Sequence, residues 1–152
     1  MLWLISLLAC SPEFTDITDS SDSFTPVTSF FGGPYLVFFN IEIDCKEMYW
    51  VTNIYRAGEA PYDRNLEAIQ ITYNDTDVAT GIFSTGGEAP IRATHLTITG
   101  DAFEFENAAD GSTIETTAVD EEWAAGEINL SFLNDRTVTG EYNIPFCTNL
   151  VQ

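Results

Sequence analysis

The sequence predicts an all-β fold, either an antiparallel β-sandwich or a small β-barrel of eight to nine strands. Two observations lead to this prediction. From Phe30 onward apolar side chains alternate with polar ones at a period of two, which is typical of strands with one face in a core and one in water. Turn-forming residues separate these runs, and no segment keeps a helical period over three turns.

The predicted strands follow one another closely along the chain. The run from Met48 to Tyr55 is apolar on both faces and predicts a strand that is covered on each side. The other runs place these side chains on the core face: Tyr35, Val37, Phe39, Ile41 and Ile43; Ile69, Ile71 and Tyr73; Leu96 and Ile98; Phe103 and Phe105; Ile128, Leu130 and Phe132; Val138, Tyr142, Ile144 and Phe146.

Turn residues lie where hairpins are expected. Gly100-Asp101 and Asp110-Gly111 each join two predicted strands, and Asn134-Asp135 closes the last hairpin. The acidic run that begins at Asp120 favours a helix N-terminus, so a single helical turn is predicted from Asp120 to Ala125.

Charge limits the partners that this chain can bind. Twenty-four acidic residues stand against five basic ones, which gives a net charge of −19, and Lys46 is the only lysine. Such a charge repels phosphate backbones, so no nucleic-acid partner is expected. Without a polybasic patch, membrane contact would have to come from an attached lipid. The hydrophobic fraction of 45% argues against disorder in the body of the chain.

The N-terminus carries a short apolar run, Met1 to Ala9, which ends in Leu7-Leu8-Ala9-Cys10. This pattern resembles the lipobox of bacterial lipoproteins. The resemblance implies that residues 1–9 are a cleaved signal segment and that Cys10 carries the acyl chains. It also implies a membrane-anchored location in the cell envelope, and Ser11 after the cysteine is compatible with the outer membrane or the cell surface. The alternative is an ordinary N-terminal strand or short helix in which Cys10 is a buried thiol.

Residues 10–28 combine the anchor cysteine with a segment of linker composition. Positions 11–28 hold eight Ser or Thr, four acids, two prolines and no basic residue, and their apolar residues follow no regular period. The sequence therefore predicts a flexible, acidic tether that lifts one β-sandwich domain, residues 29–152, off the lipid surface.

Three cysteines are an odd number for an exported domain. If Cys10 is lipidated as the lipobox resemblance implies, Cys45 and Cys147 remain, and we expect a disulfide between them. The alternative is two unpaired buried thiols. Two cysteines and one histidine without close spacing do not indicate a metal site.

Catalytic motifs are lacking, so the sequence predicts a non-catalytic protein without a cofactor. No nucleophile elbow, phosphate loop or zinc-protease motif occurs. His95, the single histidine, is predicted on the outer, polar face of a strand because it alternates with Leu96.

Two loops are candidates for ligand binding. In the first loop, aromatic faces beside planar donors suit sugars or peptides, and the second loop is an acidic run that ends in a large aromatic residue. The alternative is that these aromatic residues only cap the ends of the fold. A third loop, Asn74 to Asp77, offers oxygen ligands for calcium, but it lacks the glycine and the distal glutamate of an EF-hand loop, so an acidic turn explains it. The candidate residues are Tyr55, Arg56, Tyr62 and Arg64 in the first loop and Trp123 after Asp120, Glu121 and Glu122 in the second.

The last 60 residues loosely resemble the final hairpin of uncharacterised bacterial β-sandwich envelope lipoproteins, where a glycine-bearing strand ends near a cysteine. The stretch from Gly126 to Cys147 carries this resemblance. Together these features predict a lipid-anchored, non-catalytic cell-envelope domain that binds a protein or a glycan. The alternative function is a small β-barrel that carries an apolar ligand in its interior.

Overall fold

The computed structural model describes residues 13–47, 65–99 and 102–150, and over these ranges it is a sandwich of two five-stranded antiparallel sheets. The first sheet has the order β1-β10-β9-β8-β5, and the second has the order β2-β3-β4-β6-β7. The strands are β1 Phe14–Asp19, β2 Thr28–Gly32, β3 Tyr35–Phe39, β4 Leu66–Tyr73, β5 Gly81–Ser84, β6 Ile91–Thr99, β7 Ala102–Asn107, β8 Thr113–Val119, β9 Trp123–Ser131 and β10 Thr137–Pro145. Short 3-10 turns lie at Cys45–Glu47, Leu133–Asp135 and Thr148–Leu150.

The all-β prediction is confirmed, and the architecture is the sandwich rather than the barrel. The two sheets are not closed on each other. Nineteen buried residues from both sheets and their connections fill the space between them, with Phe38, Ile69 and Tyr142 among the largest. The alternative function was framed on a small β-barrel, and the described sheets do not form one. In the described ranges, no helix has the length and apolar character needed to cross a bilayer.

The prediction that residues 11–28 form a flexible tether is wrong for the part that the structure describes. Residues Phe14–Asp19 are β1, which pairs with β10 over its whole length. Ile17 and Phe24 are buried in the core between the sheets. Most of the acidic and hydroxyl residues that gave this segment its linker composition occupy the solvent face of β1 and the turn after it, where polar side chains are favoured, whereas Asp19 is buried.

Some local predictions are also corrected. Asp110-Gly111 does not close a hairpin, because β7 and β8 belong to different sheets and the chain crosses between them. Asp120 does not begin a helical turn; its carboxylate accepts the amide N–H of Glu122 and of Trp123 and closes the tight β8–β9 hairpin. Phe105, expected in the core, is 61% exposed. The predicted strand at Met48–Tyr55 and the turn at Gly100-Asp101 lie outside the described residues.

The hairpin between β9 and β10 confirms the Asn134-Asp135 prediction. Both residues adopt positive φ angles, 59° and 57°. This left-handed conformation matches the twist of a tight hairpin, and Asn and Asp tolerate it better than other non-glycine residues.

The outer face of the second sheet also carries an apolar cluster. Val37, Phe39 and Leu96 belong to a second buried cluster on this face. Segments that follow β3 and β10 pack over it through Ile43 and Leu150. The sheet therefore has two apolar faces, and each is covered by a different part of the chain.

A disulfide joins the two covering segments, as the sequence predicts. Cys45 and Cys147 are bonded, their Cα atoms are 5.6 Å apart, and 102 residues separate them along the chain. A bond that closes so long a loop reduces the conformational entropy of the unfolded chain. It also keeps both covering segments on the apolar face of the second sheet.

We expect the double substitution Cys45→Ala and Cys147→Ala to lower the free energy of unfolding by about 2–4 kcal/mol, because the unfolded chain regains the entropy of a long open loop. Urea denaturation of the variant and of the oxidised wild type measures the difference. Cys10→Ala is the matched control and should leave the midpoint unchanged. Equal midpoints for the oxidised and the reduced wild type would contradict the prediction.

Candidate functional site

A network of hydrogen-bonded polar side chains connects the two sheets beside the β9–β10 turn. The Arg136 side chain, just before β10, contacts Asp19 at the end of β1 in the same sheet. It also reaches His95 on β6 in the other sheet, and His95 contacts Glu67 on β4. We call Asp19, Arg136, His95 and Glu67 the inter-sheet network. It links elements that are far apart in sequence at one end of the sandwich.

The ion pair of Arg136 with Asp19 is the centre of this network. Arg136 Nε lies 3.1 Å from each carboxylate oxygen of Asp19, and one terminal nitrogen donates to Oδ2 at 2.7 Å. The side chain of Asp19 has no solvent exposure, and that of Arg136 is 13% exposed. The guanidinium also lies 5.3 Å from the ring centroid of Phe132. Geometry of this kind, with several donors on a planar cation, compensates the cost of burying a charge.

Burial alone would raise the pKa of the Asp19 carboxyl. Its hydrogen bonds outweigh that effect: Arg136 donates to it, as do the Ser21 amide and the hydroxyls of Ser21 and Ser23. Together they hold the pKa of Asp19 well below its usual range. Asp19 is therefore a permanently charged anchor for Arg136 at neutral pH.

The hydrogen bonds of His95 define its tautomer. Arg136 has donors only, so His95 Nδ1 accepts from it at 2.9 Å, and Nε2 carries the proton that it donates to Glu67 Oε2 at 3.0 Å. Both ring nitrogens are therefore engaged, and neither is directed at a nucleophile. In this arrangement His95 connects the sheets and is not poised as a general base.

The predicted position of His95 on an outer polar face is wrong. His95 follows Ile91 and Ala93 on the inner face of β6, and it makes edge contacts with the rings of Phe24 and Phe132. Leu96 and Ile98, which set the predicted core face, belong to the apolar cluster on the outside of this sheet. The period-two pattern correctly identified β6 as a strand. Because both faces of this sheet carry apolar side chains, the pattern could not show which face lies inside the sandwich.

A cavity of about 300 Å3 adjoins the inter-sheet network. Arg136, His95 and Thr97 line one side of it, and the strand β7 lines the other with Glu104, Phe105 and Glu106. Since Asp19 neutralises Arg136, the two glutamates of β7 make this opening anionic. It can accept a cationic or hydrogen-bond-donating group of modest size.

A second set of polar side chains lies deep in the core and is closed to ligands. The hydroxyls of Tyr73 and Tyr142 each lie 3.0 Å from Thr116 Oγ1. Burial raises the pKa of both tyrosines, and that of Tyr142 the more strongly. A Cβ on Gly126 would lie 2.8 Å from the Tyr142 oxygen and would overlap the backbone carbonyl oxygen of Glu115, so only glycine fits there. These hydroxyls stay protonated and satisfy one another inside the sandwich.

Four acidic residues form a row across the outer face of the first sheet. Asp16 lies opposite Glu141, Glu141 opposite Glu127, and Glu127 opposite Glu115 on four adjacent strands. We call these residues the carboxylate row. Residues directly opposite in antiparallel strands have Cβ atoms about 5 Å apart, so like charges there repel. Among the described residues, no group of three or more His, Cys, Asp or Glu is arranged to hold a metal ion.

The candidate ligand-binding residues from the sequence do not converge on the cavity. Tyr55, Arg56, Tyr62 and Arg64 lie outside the described residues. Trp123, the first residue of β9, is half-buried and lies at the opposite end of that strand from the cavity. The acidic turn from Asn74 to Asp77 is exposed and is tied by its first amide and side chain to the β5–β6 connection. The candidate site consists instead of the inter-sheet network and β7. The sequence analysis did not predict that these residues lie together.

No protein-family model, curated protein or solved structure matches this chain.

We expect Asp19→Asn to lower the free energy of unfolding at pH 7 by about 2 kcal/mol, because it leaves Arg136 buried without its counter-charge. The folded pKa of Asp19 lies below its ordinary value of 3.8, so its charge stabilises the fold fully above that pH. This contribution is lost as the pH falls toward the folded pKa. The stability difference between wild type and variant should therefore shrink from pH 5 to pH 2, as measured by urea denaturation at each pH.

Asp75→Asn is the matched control, since it removes the same charge from an exposed turn. It should change stability by less than about 0.5 kcal/mol at neutral pH. Arg136→Met, which leaves the carboxylate unpaired, should cost about 3 kcal/mol. A stability difference between wild type and Asp19→Asn that stays constant across the acid range would contradict the role given to the Asp19 charge.

The carboxylate row predicts that Glu127→Gln stabilises the fold at low ionic strength, by roughly 0.5 kcal/mol, because Glu127 has a like charge on either side. Sodium chloride at a few hundred millimolar should raise the wild-type melting temperature and shrink the gain from the substitution. Glu88→Gln, in an exposed turn away from the row, serves as the control. Thermal melts of the three proteins test this.

Calcium, magnesium and sodium salts should act alike at equal ionic strength, and a specific effect of calcium would contradict simple screening.

Proposed function

We propose that this chain is a lipid-anchored, non-catalytic domain of the cell envelope that binds a protein or a glycan. The disulfide between Cys45 and Cys147 is the observation that carries the proposal. Such structural disulfides form and persist in oxidising compartments outside the cytoplasm. With those two cysteines paired to each other, Cys10 is left as the third, in the sequence context that resembles a lipobox.

The position of β1 limits how far the domain can lie from a lipid on Cys10. Phe14 begins β1 only four residues after Cys10. Four residues span at most about 14 Å, so a lipid on Cys10 would hold the sandwich close to the bilayer. A cavity beside this start is lined by Glu13, Glu42, Asp44 and Glu47. This acidic surface is repelled by anionic headgroups, so attachment would depend on the acyl chains alone.

The proposed binding role is supported by the anionic cavity and by the hydrogen bonds of His95. The anionic cavity beside the inter-sheet network can hold a cationic group. Both nitrogens of His95 are occupied by Arg136 and Glu67, which favours binding over proton transfer. The location that we propose, the outer membrane or the cell surface, follows from Ser11 after the anchor cysteine in the resemblance to lipoproteins.

Cys10→Ala should abolish metabolic labelling with a palmitate analogue and release the protein from the membrane fraction, because no other described feature offers a means of attachment. The measurement is labelling and fractionation of the full chain expressed with its N-terminus intact in a bacterial host. Ser11→Ala, one position away, retains the thiol and should still be labelled. Unchanged membrane fractionation of Cys10→Ala would refute the anchor.

A further inference from the structure

The strand β7 forms one edge of the second sheet. In the part of the chain that the structure describes, its only strand neighbour is β6, with which it pairs from Ala102 to Asn107. Four of its six residues are exposed, and Phe105 is 61% exposed although it is a large apolar side chain. An edge strand with unpaired backbone groups is a template for another extended chain.

The direction of the free backbone groups follows from the ladder. The Ala108 amide donates to the Ala93 carbonyl, which continues the β6–β7 pairing by one residue. In antiparallel pairs, hydrogen-bonded positions alternate along the strand. The amides and carbonyls of Phe103, Phe105 and Asn107 therefore point away from β6, toward the open edge. They form a row of donors and acceptors that matches an incoming strand.

The side chains of β7 divide by chemistry between its two faces. Phe103 and Phe105 lie opposite Ile98 and Leu96, on the apolar outer face of the sheet. Glu104 and Glu106 point to the other face, where they line the cavity beside the inter-sheet network. An added strand would thus place alternate residues against phenylalanine rings and against carboxylates.

A second copy of this chain is a poor occupant of the edge. Antiparallel pairing of two β7 strands centred on Phe105 would set Glu104 of each copy opposite Glu106 of the other, and like charges directly opposite are destabilising. The net charge of −19 adds a general repulsion between copies. The glutamates therefore oppose self-association and favour a strand of opposite charge.

We propose that the free edge of β7 binds an extended peptide segment in which basic residues alternate with apolar ones, and that this segment adds a sixth strand to the sheet. Backbone hydrogen bonds to Phe103 and Phe105 supply affinity, as in other cases of strand addition. A lysine or arginine side chain enters the anionic cavity between Glu104, Glu106 and His95. The inference rests on the proposed binding function and names its partner as a cationic, extended polypeptide rather than a glycan.

The test uses the full chain with Cys10→Ala and a capped, fluorescent octapeptide of alternating lysine and valine. Fluorescence anisotropy should show binding at 150 mM sodium chloride, and an octapeptide of alternating glutamate and valine should bind at least about tenfold more weakly. A lysine–valine peptide that is N-methylated on alternate amides, along the pairing edge, should also bind about tenfold more weakly because it cannot complete the ladder. At saturation, the Phe105 amide should become protected from hydrogen exchange.

Two matched variants separate this site from general attraction to an acidic protein. Glu104→Gln with Glu106→Gln should weaken binding about tenfold. Gln keeps the oxygen with which Glu106 accepts the Leu133 amide, so the fold is preserved. Glu127→Gln with Glu141→Gln removes the same charge from the carboxylate row on the other sheet and should weaken binding less than about twofold.

Three outcomes would overturn the inference: no binding of the lysine–valine peptide, equal binding of the N-methylated peptide, or equal loss in both pairs of variants. Each would leave the lipid anchor intact, because the anchor is judged by labelling at Cys10. Conversely, a chain that is not acylated but whose β7 edge binds the peptide would refute the anchor and retain the docking site.

Discussion

The structure depends on one constraint: the sheet β2-β3-β4-β6-β7 carries a buried apolar cluster on each of its faces. Its inner face packs against the other sheet, with Phe38 and Ile69 fully buried between them. Its outer face carries a second set of buried side chains, Phe39 and Ile98 among them. Leaving this second face in water would forfeit roughly 25 cal/mol for each Å2 of apolar surface. The segments after β3 and β10 must therefore stay in place, and the disulfide between them holds them there.

This constraint also explains which parts of the fold the sequence predicted. Period-two alternation located β4, β6, β9 and β10, because it depends only on the geometry of a strand. It could not assign faces in a sheet with two apolar sides, and so His95 was placed outside and Phe105 inside. β5 was missed because its four residues are mostly exposed and bury little apolar surface. β1 was missed because its polar residues resemble those of a linker, while its inward side holds a charge, Asp19, rather than another apolar residue.

The inter-sheet network could not be predicted from the sequence for a different reason. Asp19 and Arg136 are 117 residues apart, and each lies beside a turn in which a polar residue is unremarkable. Only the fold shows that these turns meet at one end of the sandwich. One signal was available: basic residues are scarce in this chain, five against 24 acids, so each basic residue has many acidic residues with which to pair. The disulfide, in contrast, was predictable because the lipobox resemblance set Cys10 aside, and pairing the two remaining cysteines requires no knowledge of the fold.

The excess of acid has different consequences on the two sheets. On the first sheet, the carboxylate row places like charges opposite one another across four strands, and the fold tolerates the repulsion because these side chains reach into water. On the second sheet, Glu104 and Glu106 lie on an edge that other proteins protect with lysine, proline or a bulge. Here the carboxylates of the edge strand oppose pairing with acidic strands, including copies of the same chain. Protection by charge differs from protection by shape in one respect. A proline or a bulge blocks every strand, whereas a carboxylate repels acidic strands and attracts cationic ones, so in the proposed interaction Glu104 and Glu106 both oppose pairing between copies and favour a cationic partner.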